Sequence, residues 1–367
     1  MDKKKKKKNM IFLSIERLML FNADFMLFTF LLFLISCADD PVIVQKKNKT
    51  ILFYLAADNN LESKALKLQD IISESSVNDE EVNLIIYIDR RNSSQLLVRE
   101  KRGEFRIIHS YEERNSVIGR NISDIIDYII QTYPAEEMGL VLWSHGTSWL
   151  PTHTSNSRSF GYDKGEEGDI RDIASNLKIK FDYIIFDACY MGSIEICSEF
   201  ASKADYIVAS PTIIPGDGII LPGSTEYLAS NDSINKRLKK ICNKYYNYYS
   251  KEEKYVSISL VRTSRIKELA DFIKMYPQTF YMSFLSEIQS FPIRQRLLFF
   301  DFKSTLETMY GYPIRNLINN VIIHYNSSTM GNCGLSIFIL TDKNDELIKY
   351  YSQLKWNKIS NWLSAFR

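Results

Sequence analysis

The sequence predicts an α/β fold with a large, mainly parallel central sheet and helices on its faces. Apolar segments alternate with helical patterns along most of the chain, an order typical of strand–helix–strand units. Some apolar segments are continuous, such as YIIF at 183–186, which indicates strands buried on both faces. The apolar fraction of 45 % and the charged fraction of 25 % exclude a mainly disordered chain or a polytopic membrane protein.

Seven segments have the apolar composition expected of buried strands. They are Ile51–Ala57, Val82–Asp89, Gly139–Ser144, Tyr183–Asp187, Tyr206–Ser210, Tyr255–Val261 and Gly334–Leu340. A hairpin is predicted after the second strand, because Gln95–Glu100 and Phe105–His109 flank a short turn that contains Gly103.

Helical periodicity fills the intervals between these strands. Helices are predicted near residues 60–75, 121–133, 169–177, 191–202 and 233–249. Residues 263–330 have mostly helical patterns, and 345–365 predicts a closing helix with Trp356 and Trp362 buried.

The amino terminus has the pattern of a secretory signal. The lysine block Lys3–Lys8 precedes the apolar run Phe25–Ser36, which is shorter than the roughly 20 residues that cross a bilayer. The run leads directly into Cys37, and the sequence LISC resembles a bacterial lipobox, whose cysteine is lipid-modified. We therefore expect residues 1–36 to be a lipoprotein signal peptide and 37–49 a polar tether. An uncleaved anchor with an incidental cysteine is the alternative.

The charge balance excludes a nucleic-acid partner. The chain has 46 Lys/Arg and 44 Asp/Glu, of which seven and three lie in the first 36 residues, so the remainder carries about −2. This remainder lacks the basic surface of a nucleic-acid binder. The expected partner at this point is a membrane, contacted through the lipid anchor in the bacterial cell envelope.

Two predicted strands end in side chains that can carry nucleophilic chemistry. One runs into SHG at 144–146 and the other into DAC at 187–189. Because the carboxyl ends of adjacent parallel strands meet at one sheet edge, about 5 Å apart, we expect His145 and Cys189 to lie close together. A free thiol with a pKa of about 8.5 is mostly protonated at neutral pH, and a neighbouring imidazole can activate it. The backbone N–H groups of Gly146 and Cys189 are candidates for an oxyanion hole.

These motifs resemble those of the clostripain family of cysteine peptidases, in the clan that also holds caspases, gingipains and legumains. Other family-like blocks are ILFYLAADNNL at 51–61, SPTIIPGDG at 210–218, FDF at 300–302 and CGLSIFIL at 333–340. The resemblance implies a caspase-like three-layer α/β/α sandwich with His145 as base and Cys189 as nucleophile. It implies a catalytic core at 50–262 and a mainly helical portion at 263–367 that completes the sheet.

The family favours Arg or Lys at the cleaved bond, and a basic side chain needs a carboxylate in its pocket. Asp187 and Asp217 are the candidates for this acid. Asp187 could instead cap neighbouring backbone, and Asp217 could be a turn residue in a Gly-rich loop. Family members often have an aromatic residue after this loop, where this chain has Ile219-Ile220, so the shape of the subsite differs.

The loop at 151–164 is polar and lies between the two motifs. Many family members are activated by cleavage in this interval, which makes Arg158 the expected processing site and Lys164 the second choice. The resemblance therefore predicts a monomer or a self-cleaved two-chain form. An uncut surface loop is the alternative.

The sequence predicts no cofactor and no metal site. Asp163, Glu166, Glu167 and Asp169 are clustered, and some relatives require calcium, but the spacing does not match an EF-hand. Asp169 is placed to cap the following helix. The remaining cysteines are expected to be small buried side chains: Cys197, Cys242 and Cys333.

The motifs and the resemblance together therefore predict a secreted, lipid-anchored cysteine endopeptidase. It would cleave protein or peptide substrates after Arg or Lys. Two alternatives remain open. One is a non-catalytic binding lipoprotein that keeps the fold, although such a copy usually loses His145 or Cys189. The other is a clan relative with a different pocket, such as an asparaginyl peptidase or a transpeptidase.

Overall fold

The computed structural model describes residues 46–100, 103–151, 159–293, 296–342 and 344–366. Its strands are β1 (Lys47–Ala56), β2 (Val82–Arg90), β3 (Ser93–Arg99), β4 (Phe105–Tyr111), β5 (Ala135–Trp143), β6 (Phe160–Asp163), β7 (Glu166–Gly168), β8 (Phe181–Asp187), β9 (Ala204–Ala209), β10 (Ser257–Arg262), β11 (Phe299–Asp301), β12 (Ile322–Ser327) and β13 (Ser336–Phe338).

The α-helices lie mostly between these strands. They are α1 (Glu62–Ser73), α2 (Gly119–Thr132), α3 (Ile170–Asn176), α4 (Ile194–Glu199), α5 (Ser224–Ala229), α6 (Ile234–Ser250), α7 (Ile266–Met275), α8 (Phe302–Tyr310), α9 (Arg315–Val321), α10 (Asp345–Tyr351) and α11 (Lys355–Ser360). Short 3₁₀ turns occupy Thr263–Arg265, Met282–Glu287, Tyr312–Ile314 and Trp362–Ala365.

The main sheet has the strand order β12-β10-β9-β8-β5-β1-β2-β3-β4. Its five central strands, β9, β8, β5, β1 and β2, are parallel to one another. The strands on either side pair antiparallel: β10 and β12 at one edge, β3 and β4 at the other. The central parallel strands bring their carboxyl ends to one edge of the sheet, where ligands bind in open α/β folds.

Strand β1 explains why helices cover both faces of this sheet. Its side chains alternate, with Ile51, Phe53 and Leu55 in one apolar core and Leu52 and Tyr54 in the other. Helices α1 and α6 pack on the first face, and α2, α3, α4 and α7 pack on the second. The structure thus confirms the three-layer α/β/α sandwich with a mostly parallel central sheet.

The predicted strands and hairpin of the first 262 residues are present within a few residues of their expected ends. The predicted strand at 255–261 corresponds to β10, which joins the sheet antiparallel. The hairpin β6–β7, which the sequence did not predict, occupies part of the interval between the two motifs.

The prediction of a mostly helical segment at 263–330 is wrong in part. Residues 322–327 form β12, which pairs antiparallel with β10 and extends the main sheet. The β-branched and aromatic residues Ile322, Ile323 and Tyr325 suit an edge strand, and the unpaired edge of β10 supplies the partner. His324 therefore lies on a strand and not on a helix, and its Nε2 contacts Asn243 Oδ1 at 2.8 Å.

Two further predictions at the carboxyl end need correction. The segment 334–340 contributes only Ser336–Phe338 to a strand, in a separate two-stranded sheet with β11. The single closing helix at 345–365 is divided into α10, α11 and a 3₁₀ turn, because Leu354 adopts an extended conformation between the helices. Trp356 and Trp362 are buried, as predicted.

The predicted signal peptide, the predicted lipidation site Cys37 and most of the predicted tether lie outside the described residues. Within the described ranges, we find no helix whose length and apolar character would let it cross a membrane.

Candidate active site

The SHG and DAC motifs meet at the carboxyl edge of the parallel strands. Strands β5 and β8 are parallel neighbours, and Trp143 lies opposite Asp187 in their register. A Cβ atom added at Gly146 would lie 2.4 Å from the carbonyl oxygen of Cys189, so the two loops are in direct backbone contact. Only glycine allows this approach. The structure thus brings the loops of His145 and Cys189 together, as expected from the strand order.

The imidazole of His145 is held by a residue that the sequence analysis did not select. Its Nε2 lies 2.7 Å from Asn60 Oδ1, and its carbonyl accepts a hydrogen bond from Gly161 N–H at 2.8 Å. When Nε2–H donates to the Asn60 oxygen, the proton is fixed on Nε2 and Nδ1 is available as the base.

Asn60 is presented by a tightly anchored turn after β1. The side chain of Asn59 donates to the carbonyls of Ala56 at 3.1 Å and Tyr162 at 2.9 Å, and it accepts Leu61 N–H at 2.9 Å. The available sequence signal was the polar DNN stretch that follows β1, the strand adjacent to β5. Proximity to the site could have been predicted from that order, but the pairing of Asn60 with His145 could not.

The thiol of Cys189 lies beneath the loop that follows β9. Its Sγ accepts a hydrogen bond from Ile214 N–H at 3.3 Å. Burial raises the pKa of the thiol, and the Ile214 N–H opposes this effect. A partly buried thiol with a raised pKa needs a neighbouring base to become a nucleophile.

The residue after Cys189 has a strained backbone. Tyr190 has a φ of 60°, a left-handed conformation that is uncommon for a bulky side chain. Hydrogen bonds from Tyr190 N–H to the Thr212 carbonyl at 3.0 Å and from Gly192 N–H to the Ser210 carbonyl at 2.7 Å hold it there. The 210–214 segment thus holds the backbone that follows Cys189 in this conformation.

Asp187 lies under the same loop, and its carboxylate accepts hydrogen bonds from backbone N–H groups of that loop. Its side chain is buried, and it accepts Ile219 N–H at 2.8 Å and Ile220 N–H at 3.2 Å. Burial raises its pKa to about 7, while the two N–H donors lower it. Gly218 has a φ of 79° and leaves no room for a Cβ, which would lie 2.7 Å from Asp187 Oδ2. This geometry corresponds to the structural alternative for Asp187.

Asp217 lies in the same loop, and its side chain is partly exposed. Its Oδ1 is 2.8 Å from Lys67 Nζ and 3.7 Å from Lys64 Nζ, and its Oδ2 accepts a hydrogen bond from the Tyr248 hydroxyl at 3.2 Å. The hydrogen bond from Lys67 lowers the pKa of Asp217, so the carboxyl is ionised at neutral pH. A charged acid can bind a cation, and here lysines of α1 already contact it.

The predicted processing residue Arg158 lies outside the described residues, so its position relative to Cys189 is not tested. Lys164, the second choice, has a φ of 47° at the turn between β6 and β7. Its Nζ pairs with Glu113 at 2.7 Å and lies 3.9 Å from Asp58. The oxyanion roles of the Gly146 and Cys189 N–H groups stay predictions.

The members of the predicted acidic cluster bind different partners in the structure. Asp169 caps α3 by accepting Arg171 N–H at 2.8 Å, as predicted. A different group could hold a metal ion: one oxygen each of Asp58, Glu113 and Asp163 lie within 4.8 Å of one another. This separation suits oxygens around a calcium ion, whose ligands lie at about 2.3–2.6 Å.

Comparison with known proteins agrees with this geometry. A model of the clostripain family matches residues 53–295, which is more than half of the chain. Clostripain of Hathewaya histolytica is 25 % identical over 224 residues, which cover 48 % of this chain and 42 % of clostripain. The match therefore spans less than half the length of that relative.

Two solved structures are similar over most of the chain. A secreted C11 cysteine protease from Bacteroides thetaiotaomicron, in complex with an irreversible peptide inhibitor, superposes with a TM-score of 0.78 and 27 % identity. The alignment covers 86 % of this chain and 99 % of that one. An inactive zymogen C11 protease from Parabacteroides distasonis has a TM-score of 0.72 and 26 % identity, with coverage of 87 % and 99 %.

Proposed function

The chain belongs to the clostripain family of cysteine peptidases, and from this premise we propose that it is a cysteine endopeptidase with Cys189 as nucleophile and His145 as base. One observation carries the proposal above all others. The parallel register of β5 and β8 and the backbone contact between Gly146 and Cys189 join the two motifs at one sheet edge. A sheet edge of this kind is where an α/β enzyme binds its substrate.

The proposed reaction follows from the chemistry of these groups. Cys189 Sγ attacks the carbonyl carbon of the scissile peptide while the thiol proton passes to His145 Nδ1. N–H groups of Gly146 and Cys189 stabilise the oxyanion of the tetrahedral intermediate. The intermediate collapses as the C–N bond breaks and His145 returns its proton to the leaving amine. Water, deprotonated by His145, then hydrolyses the thioester and restores the thiol.

Asn60 acts in this proposal as a positioning residue. Its side-chain oxygen accepts the Nε2 proton of His145, which keeps Nδ1 unprotonated and orients the ring. The group that orients a catalytic imidazole commonly also sets its tautomer. No cofactor is required, because the thiol and the imidazole supply the nucleophile and the proton carrier.

For specificity we propose cleavage after Arg or Lys, with Asp217 as the acid that binds the basic side chain. Two features support Asp217 over Asp187 as the contacting group: it is ionised, and its side chain is 26 % exposed. Asp187 is engaged with the backbone of Ile219 and Ile220, so in this proposal it shapes the pocket from below.

Peptide hydrolysis tests the activity. Residues 38–367, Cys189→Ala and His145→Ala are compared under reducing conditions on fluorogenic peptides ending in Arg, Lys, Asn or Asp. We expect Arg and Lys cleavage that both variants lose. Cleavage after Asn or Asp alone would contradict the acidic pocket and favour an asparaginyl-type peptidase. No turnover, even after trypsin has nicked the 151–164 loop, would favour the binding-module alternative.

We also propose activation by self-cleavage at Arg158. A structural relative is described as an inactive zymogen, which supports an activation step in this chain. Arg158→Ala should stay a single chain at neutral pH with reductant, whereas the parent chain yields two fragments. A parent chain that remains uncut after long incubation would contradict this proposal.

The last part of the proposal is a lipid anchor on Cys37 in the cell envelope. A structural relative is described as secreted, which supports export. Metabolic labelling with a fatty-acid probe should mark the full chain and not Cys37→Ser. Equal labelling and membrane retention of both proteins would contradict the anchor.

A further inference from the structure

The two lysines of α1 contact the acid that the proposed function assigns to substrate recognition. Lys64 and Lys67 are three residues apart and lie on the same face of the helix, toward the 215–218 turn. Lys67 Nζ is 2.8 Å from Asp217 Oδ1, and Lys64 Nζ is 3.7 Å from the same oxygen. The Tyr248 hydroxyl occupies the other oxygen at 3.2 Å. Both carboxylate oxygens of Asp217 are therefore engaged within the protein.

The loop that carries Asp217 is held in place by other groups. Asp187 accepts the N–H groups of Ile219 and Ile220 behind the turn. The Tyr249 hydroxyl donates to the Gly218 carbonyl at 3.0 Å and approaches the Pro215 carbonyl at 3.4 Å. These contacts are buried or partly buried, and none of them involves a lysine. The loop therefore has anchors that do not depend on the lysines.

The contact with the lysines is weak by its nature. The side chains of Lys64 and Lys67 are 45 % and 55 % exposed, and an ion pair between exposed groups contributes little free energy. A long, flexible lysine can leave such a pair and return its ammonium to water. A guanidinium that binds a carboxylate through two parallel hydrogen bonds can displace it.

We infer that Lys67, supported by Lys64, is an internal competitor that occupies Asp217 in the free enzyme and must be displaced by the basic side chain of a substrate. The inference rests on the proposed function, because it takes Asp217 as the pocket acid. Ile214 contacts Cys189 Sγ, and the three residues from Ile214 to Asp217 span at most about 10 Å. On this inference, a basic side chain next to the scissile carbonyl reaches Asp217 across that short separation.

Removing the competitor should improve recognition of basic substrates. Lys67→Met keeps the length of the side chain and removes its charge, so kcat/KM for Arg and Lys peptides should rise about two- to fivefold. Lys64→Met should give a smaller rise, since its ammonium is farther from Asp217. Lys67→Arg should lower kcat/KM, because a guanidinium pairs more strongly with the carboxylate. Alkylation of Cys189 by iodoacetamide, a neutral reagent, should be unchanged in Lys67→Met.

The matched control is Lys267→Met, which removes a lysine from another exposed pair, 2.6 Å from Asp271 on α7. It should leave every rate unchanged. An unchanged or lower kcat/KM in Lys67→Met overturns the inference, and a lower value would assign Lys67 to holding the loop.

Asp217→Asn separates a failure of this inference from a failure of the proposed function. If Asp217→Asn loses the preference for basic residues while Lys67→Met behaves as the parent, the pocket acid stands and the competition is wrong. If Asp217→Asn cleaves Arg and Lys peptides as the parent does, Asp217 is not the pocket acid. The proposed specificity fails in that case, and the inference fails with it.

Discussion

Two aspartates, one two residues before Cys189 and one in the 215–218 turn, show how burial separates the roles of identical side chains. Asp187 is 3 % exposed, binds only backbone N–H groups, and has a pKa raised to about 7 by burial. Asp217 lies in the loop whose N–H groups Asp187 binds, but it is partly exposed, contacts two lysines, and has a lowered pKa. A buried acid of the first kind stabilises a loop, whereas an exposed, ionised acid is available to a charged ligand.

The largest effect is expected from Asp187→Ala. The change leaves the N–H groups of Ile219 and Ile220 buried without acceptors, which should lower the free energy of unfolding by about 2–4 kcal/mol. The loop over Cys189 should detach, so activity toward every peptide should fall together. Urea unfolding and peptide hydrolysis measure the two effects. A stable variant with altered preference among peptides would reverse the roles assigned to the two aspartates.

Asp217→Ala should have the opposite signature. We expect kcat/KM for Arg and Lys peptides to fall about 100-fold, because an ionic contact to the substrate is lost. The free energy of unfolding should change by less than about 0.5 kcal/mol, as is usual for an exposed side chain. The comparison would break if this variant lost as much stability as Asp187→Ala.

Glu195 provides an independent measure of how a buried acid changes the free energy of unfolding with pH. It is buried in α4, where its Oε1 accepts Phe338 N–H at 3.0 Å and the Tyr351 hydroxyl at 2.9 Å. Burial raises its pKa to about 7, as it does for Asp187. Between about pH 4 and pH 7 the folded protein therefore holds protons that the unfolded chain has released, so its stability falls as the pH rises.

Glu195→Gln should remove part of this pH dependence, because the amide oxygen can still accept both hydrogen bonds. At pH 8 the free energy of unfolding should exceed that of the parent by about 1–3 kcal/mol, and at pH 4 the two should agree. Glu268→Gln, at a half-exposed position paired with Arg265, is the control and should follow the parent at both values. If the free energy of unfolding changed equally with pH in the parent and in Glu195→Gln, burial would not control the ionisation of this acid.

The strand ends of the site could be predicted from the sequence, whereas its side-chain pairings could not. His145 and Cys189 each follow a continuous apolar run, and parallel strands bring such ends to one edge. Asn60 and Lys67 contact residues that are 85 and 150 positions away in the chain. These contacts depend on how the β1 turn and α1 pack against other loops, which local patterns do not encode. The strand β12 was missed for the same reason, because its formation depends on the free edge of β10.

The smallest effect is expected at Asn60, which contacts His145. Asn60→Ala removes the acceptor of the His145 Nε2 proton, so kcat should fall about tenfold while the protein unfolds as the parent does. Asn60→Asp places a carboxylate against the imidazole and should raise the pKa of His145. The pH dependence of Cys189 alkylation by iodoacetamide reports this change without any peptide substrate. The part of this pH–rate curve that follows the ionisation of His145 should move to higher pH. The expected shift is about one unit or more in Asn60→Asp, and less in Asn60→Ala. A lower rate without this shift would mean that Asn60 only supports the turn after β1, and that the imidazole is oriented by another group.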